Sequence, residues 1–251
     1  IVIDQSDEPI TSKEILHIDP RIKIIIDEKR SAPHARNIGV VEAKGEVLVF
    51  FDDDVIPQSD NIIALHLENY TNPVIGMVAG RVKQPYETKT VKTPGKVLRP
   101  IYMVYGGFNA IKRQKATNVI GCNFSMRLVI WNKIGGMDEY FVRGVNHEES
   151  ELAIRVAKAG YEIVFDPRPF VHHLEWGKGG NRDMAKSRRE YRYWIFHHWT
   201  YVFRKHGSVF ALPLFLIAVI LRIGFYTITD RDLKVGALAL KGMFDQLTRK
   251  S

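Results

Sequence analysis

Short apolar runs alternate with longer amphipathic stretches over the first two hundred residues of the chain. Runs of three to five residues, rich in β-branched and aromatic side chains, predict strands at 1–3, 22–26, 47–51, 74–78 and 163–165. Apolar positions at helical spacing between these runs predict helices at 35–43 and 59–70. Alternation of this kind is typical of an α/β domain and by itself predicts a largely parallel sheet.

The segment from 86 to 115 departs from this alternation. It is rich in lysine, threonine, glycine and aromatic residues and has no clean period. A loop that passes over a site and a poorly ordered surface insertion explain it about equally well. In the first case its lysines and aromatics would help to shape a binding site.

The composition changes again beyond residue 180. Between 181 and 205, seven basic residues face two acidic ones, and seven aromatic residues are interleaved with them. Residues 209–221 then carry no polar side chain, Arg222 interrupts the run, and apolar residues recur at helical spacing as far as Leu247. We therefore divide the chain into an α/β domain over 1–180 and a helical region over 181–251.

The helical region has three interpretations. Arginines among aromatics bind single-stranded nucleic acid, but they also form the belt at a lipid interface, and an apolar helix packed on the first domain is the third possibility. The uninterrupted apolar run is shorter than the ~20 residues of a membrane span. Extending it through Arg222 places a charge in the bilayer. We predict helices lying in the membrane interface, with one span over 209–228 as the alternative and no nucleic-acid partner.

Composition and charge narrow the class of protein. In 251 residues, 45% are hydrophobic and 25% charged, which excludes wholesale disorder, and the net charge of +8 suits an anionic partner. The single cysteine, Cys122, excludes an intrachain disulfide and a zinc site built on cysteines, and favours a reducing compartment. The sequence opens at Ile1 inside an apolar run without a readable signal peptide, so we expect it to begin partway through a domain.

Three consecutive carboxylates, Asp52 to Asp54, follow the predicted strand at 47–51. Ligands bind at the carboxyl edge of open α/β sheets, and clustered carboxylate oxygens suit Mg²⁺ or Mn²⁺. An ion held there would bridge to a diphosphate. The alternative is a helix cap supplied by Asp54 or Ser59, but a cap uses one acid rather than three.

Two polar residues near the start of the chain carry weaker signals. Asp4 ends the first predicted strand, where a carboxylate accepts hydrogen bonds from a nucleotide base or ribose, although Asp is also common in ordinary turns. Arg36 opens the helix before the acidic strand, and a guanidinium grips phosphate oxygens through paired donors. An exposed helical arginine is the alternative for Arg36.

Seven motifs stand in an order that resembles family 2 glycosyltransferases of the GT-A fold. They are Val-Ile-Asp-Gln-Ser at 2–6, Ala-Arg-Asn-Ile-Gly at 35–39, Phe-Asp-Asp-Asp-Val at 51–55, Gly-Cys-Asn-Phe-Ser at 121–125, Gly-Gly-Met-Asp-Glu at 135–139, Glu-Glu-Ser-Glu-Leu at 148–152 and His172-His173. The resemblance covers about 1–175 and extends to membrane-associated bacterial transferases of the polysaccharide and rhamnosyl type. It implies a Rossmann-like mixed sheet flanked by helices, with the family's opening strand missing from this sequence and no Gln-x-x-Arg-Trp motif of processive synthases.

The resemblance also implies a role for individual residues in an inverting, hexosyl-type enzyme that uses a nucleotide-diphosphate sugar. Glu149 falls where the family usually has an aspartate general base. The metal ligands would be Asp54 and His173, and an imidazole suits Mn²⁺ better than Mg²⁺. The positions assigned to the nucleotide sugar are Asp4, Arg36, Asp52, Asp53, Gly121 and Asn123. Those assigned to a glycan or lipid-linked acceptor, at the cytoplasmic face of a membrane, are Glu148, Glu151 and Trp176.

Alternatives remain for the roles of individual residues and for the function of the protein. Asn146 to Glu149 reads as a capping box with Glu149 at its third helical position, Gly121 and Asn123 fit a plain turn, and Trp176 fits a core position. A sugar nucleotidyltransferase also uses an acidic, metal-binding sheet edge. A membrane scaffold that kept the fold without catalysis is the third hypothesis, because glutamate replaces aspartate at the base position.

Overall fold

The computed structural model describes residues 1–9, 19–141, 147–174 and 187–249. Its strands are β1 (Val2–Asp4), β2 (Ile24–Ile26), β3 (Val47–Phe51), β4 (Val55–Pro57), β5 (Ile75–Lys83), β6 (Lys96–Leu98), β7 (Met103–Tyr105), β8 (Gln114–Ala116), β9 (Asn123–Arg127) and β10 (Glu162–His173). Its helices are α1 (Ala32–Val41), α2 (Ile62–Leu67), α3 (Leu128–Ile134), α4 (Glu148–Lys158), α5 (Arg188–His206), α6 (Leu212–Asp230) and α7 (Leu233–Thr248). Short 3-10 turns cover Glu68–Thr71 and Val209–Ala211.

The central sheet has the order β3-β9-β5-β10-β4, and β8 pairs with the first half of β10. Among the described strands of this sheet, only β5 and β10 pair in parallel, because β9 runs antiparallel to both of its neighbours and β4 and β8 run antiparallel to β10. The mixed sheet implied by the family resemblance is confirmed, and the largely parallel sheet expected from alternation is wrong. The apolar period that predicts a strand does not encode the strand's direction.

The amino-terminal strands form a separate parallel pair, β1 with β2, that packs beside α1. Gly39 of α1 lies beside Ile3 of β1, where an added methyl group would meet the Ile3 side chain at 3.7 Å. Within 86–115, which the sequence predicts as a loop or a disordered insertion, β6 and β7 form an antiparallel hairpin. Tyr102 of this hairpin is buried and donates a hydrogen bond of 2.8 Å to the carbonyl oxygen of His206.

Two apolar cores result. The first surrounds the central sheet, where Phe124, Met126 and Phe165 are fully buried against α3 and α4. The second surrounds α5, α6 and α7, with Phe196 and Phe215 among its buried side chains. The β6–β7 hairpin and α4 also contribute to the second core, so the helical region packs directly on the α/β domain.

One helical segment in the described part of the chain, Val209–Asp230, is long and apolar enough to cross a membrane, with a mean hydropathy of 2.3 over its most apolar stretch. About 22% of that stretch is buried inside the protein. Buried helices of soluble proteins can have the same length and composition. Phe215, Val219 and Tyr226 of α6 face the second core, and most of the rest of the helix surface is exposed apolar area.

Candidate active site

Strand register brings the acidic residues, Cys122 and His173 to one edge of the sheet. Phe51 pairs with Asn123 in the β3–β9 ladder, so the next residue along β3, Asp52, lies beside Cys122. His173 pairs with Val55 in the β10–β4 ladder, so Asp54 lies beside His173. The predicted ligands Asp54 and His173 therefore meet although 118 residues separate them.

The His173 side chain is held on both of its ring nitrogens. Nδ1 lies 2.8 Å from Oε1 of Gln84, which follows β5 beside the end of β10, and Nε2 lies 3.0 Å from Oδ1 of Asp54. With Nδ1 donating to Gln84, the Nε2 lone pair faces a carboxylate oxygen. Nε2 donates to Asp54 in the tautomer that carries its proton there, and in the other tautomer its lone pair can bind a metal ion that Asp54 also holds.

The side chains at this edge are suitable ligands for a hard divalent metal ion. The carboxylates of Asp52 and Asp54 and the imidazole of His173 are ligands that Mn²⁺ accepts, and Mg²⁺ accepts the carboxylates. The Cys122 thiol is also within reach, but burial and the neighbouring carboxylates raise its pKa well above the ordinary value. A protonated thiol is a poor ligand for a hard ion, so the ligands that suit Mn²⁺ are the oxygens and the imidazole.

Arg36 links the acidic strand end to the predicted base. Its Nη2 donates a hydrogen bond of 2.8 Å to Oδ1 of Asp52, and its Nη1 lies 3.5 Å from Oε1 of Glu149. The Arg36 side chain is only 11% exposed, which excludes the interpretation of a solvated surface arginine. The guanidinium thus places the two carboxylates on either side of one buried positive charge.

Glu149 lies in an environment that disfavours its charge. Burial, reinforced by the carboxylate of Glu148 and only partly offset by Arg36, raises the pKa of Glu149 to about 8. Burial also raises the pKa of Glu148, whose Oε2 is buried and has no hydrogen-bond partner among the described residues. Carboxyl groups with raised pKa values are suited to accept and release protons near neutral pH.

The start of α4 differs in detail from the predicted capping box. The helix begins at Glu148 with His147 as its N-cap, and the His147 side chain makes no capping hydrogen bond. Glu149 is thus the second helical residue rather than the third, and Asn146 lies outside the described residues. The first turn of a helix favours a carboxylate and holds it on a rigid element.

Gly121 provides the surface on which Glu149 and Arg36 rest. A methyl group added at Gly121 would overlap Oε1 of Glu149 and would lie 2.6 Å from Nη2 of Arg36. The requirement for glycine here is therefore steric, because the two charged side chains pack directly over the backbone.

We expect Gly121→Ala to lower the enzymatic kcat/KM of the protein by at least about tenfold, since displacing Glu149, the predicted base, by about 1 Å can lose 10²-fold. The matched control is Gly39→Ala, because a methyl group there meets Ile3 at ordinary contact distances and α1 also carries Arg36. Steady-state kinetics and thermal melts of the two variants provide the check. Equal activity of both variants would show that Glu149 and Arg36 need no contact with this turn.

Asn123, predicted to contact the nucleotide sugar, is fully buried inside the protein. Its Nδ2 donates hydrogen bonds of 3.0 Å to the carbonyl oxygens of Arg81 and Pro169, where a register shift interrupts the β5–β10 ladder. Its Oδ1 accepts a hydrogen bond of 2.9 Å from Nε2 of His66, whose pKa burial lowers to about 4. Asn123 thus links the turn at 121–122 to β5, which Gln84 follows, and to β10, which ends at His173.

The Gly-Gly-Met-Asp-Glu motif at 135–139 connects three helices. Gly135 and Gly136 have positive φ values of 81° and 70° and end α3. Asn37 of α1 donates to the Met137 carbonyl and to Glu139, and accepts from the Met137 N–H at 2.8 Å. Asp138 accepts hydrogen bonds of 2.6 Å from Tyr201 and Lys205 of α5.

Glu151, predicted to bind the acceptor, is instead committed to internal contacts. It is fully buried and lies 2.7 to 2.9 Å from Arg155, Lys205 and His206. Although burial opposes its charge, hydrogen bonds from His206, Arg155 and Lys205 lower the pKa of Glu151 to about 2. Its position makes it an anchor between α4 and α5.

The remaining predicted residues occupy three kinds of position. Asp4 is buried at the end of β1 and accepts hydrogen bonds from the N–H and hydroxyl of Ser6 at 2.9 and 2.6 Å. Asp53 is exposed in the turn between β3 and β4. Trp176 lies outside the described residues. Sequence reasoning missed Gln84, for which no local pattern gives a signal, and used Cys122 to exclude a disulfide and a cysteine-based zinc site without assigning it to this site.

The mixed sheet in the order β3-β9-β5-β10-β4, flanked by helices, has the architecture of the GT-A fold. Residues 1–135 match the sequence profile of Glycosyl transferase family 2, and the chain belongs to this family.

Two relatives have amino-acid sequences similar to that of this chain. The chain is 27% identical over 248 residues to the probable glycosyltransferase YdaM of Bacillus subtilis (strain 168), covering 87% of this chain and 56% of that protein. It is 23% identical over 185 residues to the uncharacterized protein y4gI of Sinorhizobium fredii (strain NBRC 101917 / NGR234), covering 69% of this chain and 20% of that protein. The chain thus spans about half the length of the first relative and a fifth of the second.

Two solved structures share the fold. The mannosyltransferase PcManGT of Pyrobaculum calidifontis, in complex with GDP-Man and Mn²⁺, has a TM-score of 0.55 at 16% identity, covering 100% of this chain and 78% of that one. TarS of S. aureus, in complex with UDP-GlcNAc, has a TM-score of 0.60 at 12% identity, covering 98% of this chain and 70% of that one. At these identities the likeness establishes the architecture.

Proposed function

We propose that the protein is a metal-dependent, inverting glycosyltransferase that moves a hexose from a nucleotide-diphosphate donor to a hydroxyl group of its acceptor. The observation that carries the proposal is the chain of contacts from Asp52 through Arg36 to Glu149, next to the Asp54–His173 pair. It places a carboxyl group with a raised pKa close to a site that suits a divalent ion.

Glu149 in its carboxylate form accepts the proton of the acceptor hydroxyl as the acceptor oxygen bonds to the anomeric carbon. The bond from that carbon to the diphosphate breaks in the same step, so the sugar's configuration inverts. Arg36 holds Glu149 and Asp52 in place and adds positive charge near the departing diphosphate. A Mn²⁺ or Mg²⁺ ion held by Asp54 and His173 would neutralise the charge that develops on the leaving group.

The donor side of the site is supported by position and by analogy. PcManGT and TarS were solved with GDP-Man and UDP-GlcNAc, which favours a nucleotide sugar as the donor here. We assign Asp4 to the base, and Asp52 and Asp53 to the ribose. We assign Gly121 to the sugar by its place in the motif, and its missing side chain lets Glu149 and Arg36 pack close to the backbone there.

On the acceptor side, Glu148 is the candidate that the described contacts leave available. Its buried Oε2 lacks a hydrogen-bond partner among the described residues, and it adjoins the base. A buried carboxyl oxygen without a partner is costly unless a ligand supplies one. We propose that an acceptor hydroxyl does so, and that the acceptor is a growing glycan or a lipid-linked sugar.

Membrane association at the cytoplasmic face is part of the proposal. Phe210 and Val209, in the 3-10 turn that precedes α6, are 93% and 74% exposed. Further along α6, Leu221 and Ile228 are exposed on the side opposite the second core. A helix with one face packed on its own protein and an apolar outer face suits a position in the membrane interface better than a span.

We expect Phe210→Asp to weaken binding to liposomes of bacterial polar lipids by roughly tenfold or more, since burying a Phe side chain contributes about 1.5–3 kcal/mol. Co-sedimentation over a range of lipid concentrations measures the effect. Val129→Asp is the matched control, because Val129 is 68% exposed on α3 in the α/β domain. A similar loss in both variants would assign binding to general charge rather than to the α6 surface.

The reaction class is tested by product analysis with a panel of nucleotide sugars and Mn²⁺ or Mg²⁺, using protein reconstituted with lipid. Metal-dependent release of nucleoside diphosphate from one donor is the expected result. Release of pyrophosphate from a sugar phosphate and a nucleoside triphosphate would identify a nucleotidyltransferase instead. Donor binding without turnover, in the presence of candidate acceptors, would identify a scaffold.

A further inference from the structure

A thiol lies inside the cluster of oxygen and nitrogen ligands. The Cys122 Sγ, a carboxylate oxygen of Asp52 and a ring nitrogen of His173 all lie within 4.8 Å of one another. Asp54 is adjacent, with Oδ1 at 3.0 Å from Nε2 of His173. Cys122 is the chain's single cysteine, so the fold places its only thiol here.

The three clustered side chains and the adjacent Asp54 are of the kinds and number that a four-coordinate zinc site uses. Around Zn²⁺, ligand bonds of about 2.0–2.3 Å separate neighbouring donor atoms by roughly 3.3–3.6 Å. Because the donor atoms of the cluster are at most 4.8 Å apart, each pair has to approach by no more than about 1.5 Å to form such a site. The His173 ring is already oriented by Gln84, as metal-binding imidazoles usually are by a second partner.

The ligand set also discriminates between ions. Mn²⁺ and Mg²⁺ favour oxygen ligands, whereas Zn²⁺ gains from a sulfur ligand and stands above Mn²⁺ in intrinsic affinity for mixed sites. When Zn²⁺ takes Cys122 as a ligand, the S–H bond breaks, the sulfur–zinc bond forms, and the proton passes to solvent. No oxidant or reductant takes part.

We propose that Asp52, Cys122 and His173, with Asp54 as the fourth candidate ligand, form a zinc-binding site that overlaps the site for the activating ion. Zn²⁺ bound there withdraws Asp52 and His173 from the donor complex, so it inhibits transfer in competition with Mn²⁺. Binding of Zn²⁺ is independent of the proposed function, whereas the inhibition rests on it.

Binding is measured on the untagged full chain with Co²⁺ as a spectroscopic substitute for Zn²⁺. We expect a near-ultraviolet cobalt–thiolate band that Zn²⁺ abolishes at one equivalent. The assignment is unambiguous because the chain has one cysteine. In Cys122→Ser the band disappears and Zn²⁺ binds at least about 100-fold more weakly, since loss of even a supporting partner of a ligand costs 10–100-fold.

Three results would overturn the proposal: no thiolate band in the wild-type protein, equal Zn²⁺ affinity in Cys122→Ser, or a Cys122→Ser variant that loses Mn²⁺ and Zn²⁺ affinity to the same extent. Proton release gives a measurement that needs no variant. Zn²⁺ binding to the wild-type protein is expected to release more protons than Mn²⁺ binding at the same pH, and equal release would exclude the thiolate. A thiolate band without Zn²⁺ inhibition of an active enzyme would confirm the site and reject the competition.

Discussion

Replacing Glu149 with glutamine is expected to lower kcat for glycosyl transfer by roughly 10²–10⁴-fold, the usual contribution of a positioned general base. The amide keeps the shape of the side chain but cannot accept the acceptor's proton. Donor affinity should stay within a few-fold of wild type, because Arg36 retains its contact with Asp52. Single-turnover kinetics and donor titrations on the same preparation separate these two effects.

Glu149→Asp is the informative companion variant, since the family usually carries aspartate at this position. It keeps the carboxylate but withdraws it by one methylene, so we expect activity between those of wild type and Glu149→Gln. Activity of Glu149→Gln equal to wild type would remove Glu149 from catalysis. The base would then have to be sought elsewhere in the site.

Stability provides a second readout for Glu149 that is independent of turnover. Because the folded-state pKa of about 8 exceeds the unfolded value of 4.5, protonation of Glu149 stabilises the fold below pH 4.5, and this contribution is lost as the pH rises towards 8. The Glu149→Gln variant carries no titrating carboxyl group at this position, so its stability does not decrease with pH in this way. Without metal or donor, we expect the Tm of the variant to exceed that of the wild-type protein at pH 8 by about 2–4 °C, the shift for about 1 kcal/mol in a chain of this size.

Catalytic activity is expected to increase with pH, whereas the contribution of Glu149 to folding stability decreases with pH. Only the carboxylate form of Glu149 accepts a proton, so kcat/KM of the wild-type enzyme should increase with pH and level off above about 8. An activity that already levels off near pH 5 would indicate a base with an ordinary carboxyl pKa.

Asp54→Asn is the second variant with a large expected effect. The substitution removes the negative charge beside Nε2 of His173, so we expect Mn²⁺ affinity to decrease and kcat/KM to fall by about 10²–10³-fold, as loss of several kcal/mol of charge stabilisation implies. Mn²⁺ binding measured by electron paramagnetic resonance and transfer rates over a Mn²⁺ titration test the two effects together.

Asp60→Asn is the matched control for Asp54→Asn, because Asp60 is an exposed aspartate on the short segment between β4 and α2. The control should match wild type in metal binding and rate. If Asp54→Asn retained both Mn²⁺ affinity and activity, the Asp54–His173 contact would be an ordinary ion pair and the ion would need other ligands.

The sequence was sufficient to predict much of the fold and the position of the acidic edge. The apolar runs located β3, and the motif order indicated the family and its mixed sheet before any pairing was known. Strand direction, the β6–β7 hairpin and the packing of α5 on α4 depend on contacts between residues far apart in the chain. Periodicity within a short window carries no signal for such contacts.

In the candidate site, too, local motifs predict some of the residues, and contacts between distant parts of the chain determine the others. Asp52, Arg36 and Glu149 were identified from their motifs, and the structure brings them together around one guanidinium. Gln84 was missed because only the parallel register of β5 and β10 places it beside His173. Glu151 and Asn123 belong to motifs of the site, but long-range pairing gives their side chains internal partners.

The anchor at Glu151 has a practical consequence for anyone who shortens the protein to improve its solubility. Residues 187–249 look dispensable because they resemble an appendage, yet Lys205 and His206 supply two of the three side-chain partners of a buried carboxylate two residues from the proposed base. A version that ends before α5 would leave Arg155 as the remaining partner of this buried carboxylate among the described contacts, close to the proposed base. Enzyme engineers should therefore retain the helices and add detergent, rather than remove the helices to avoid it.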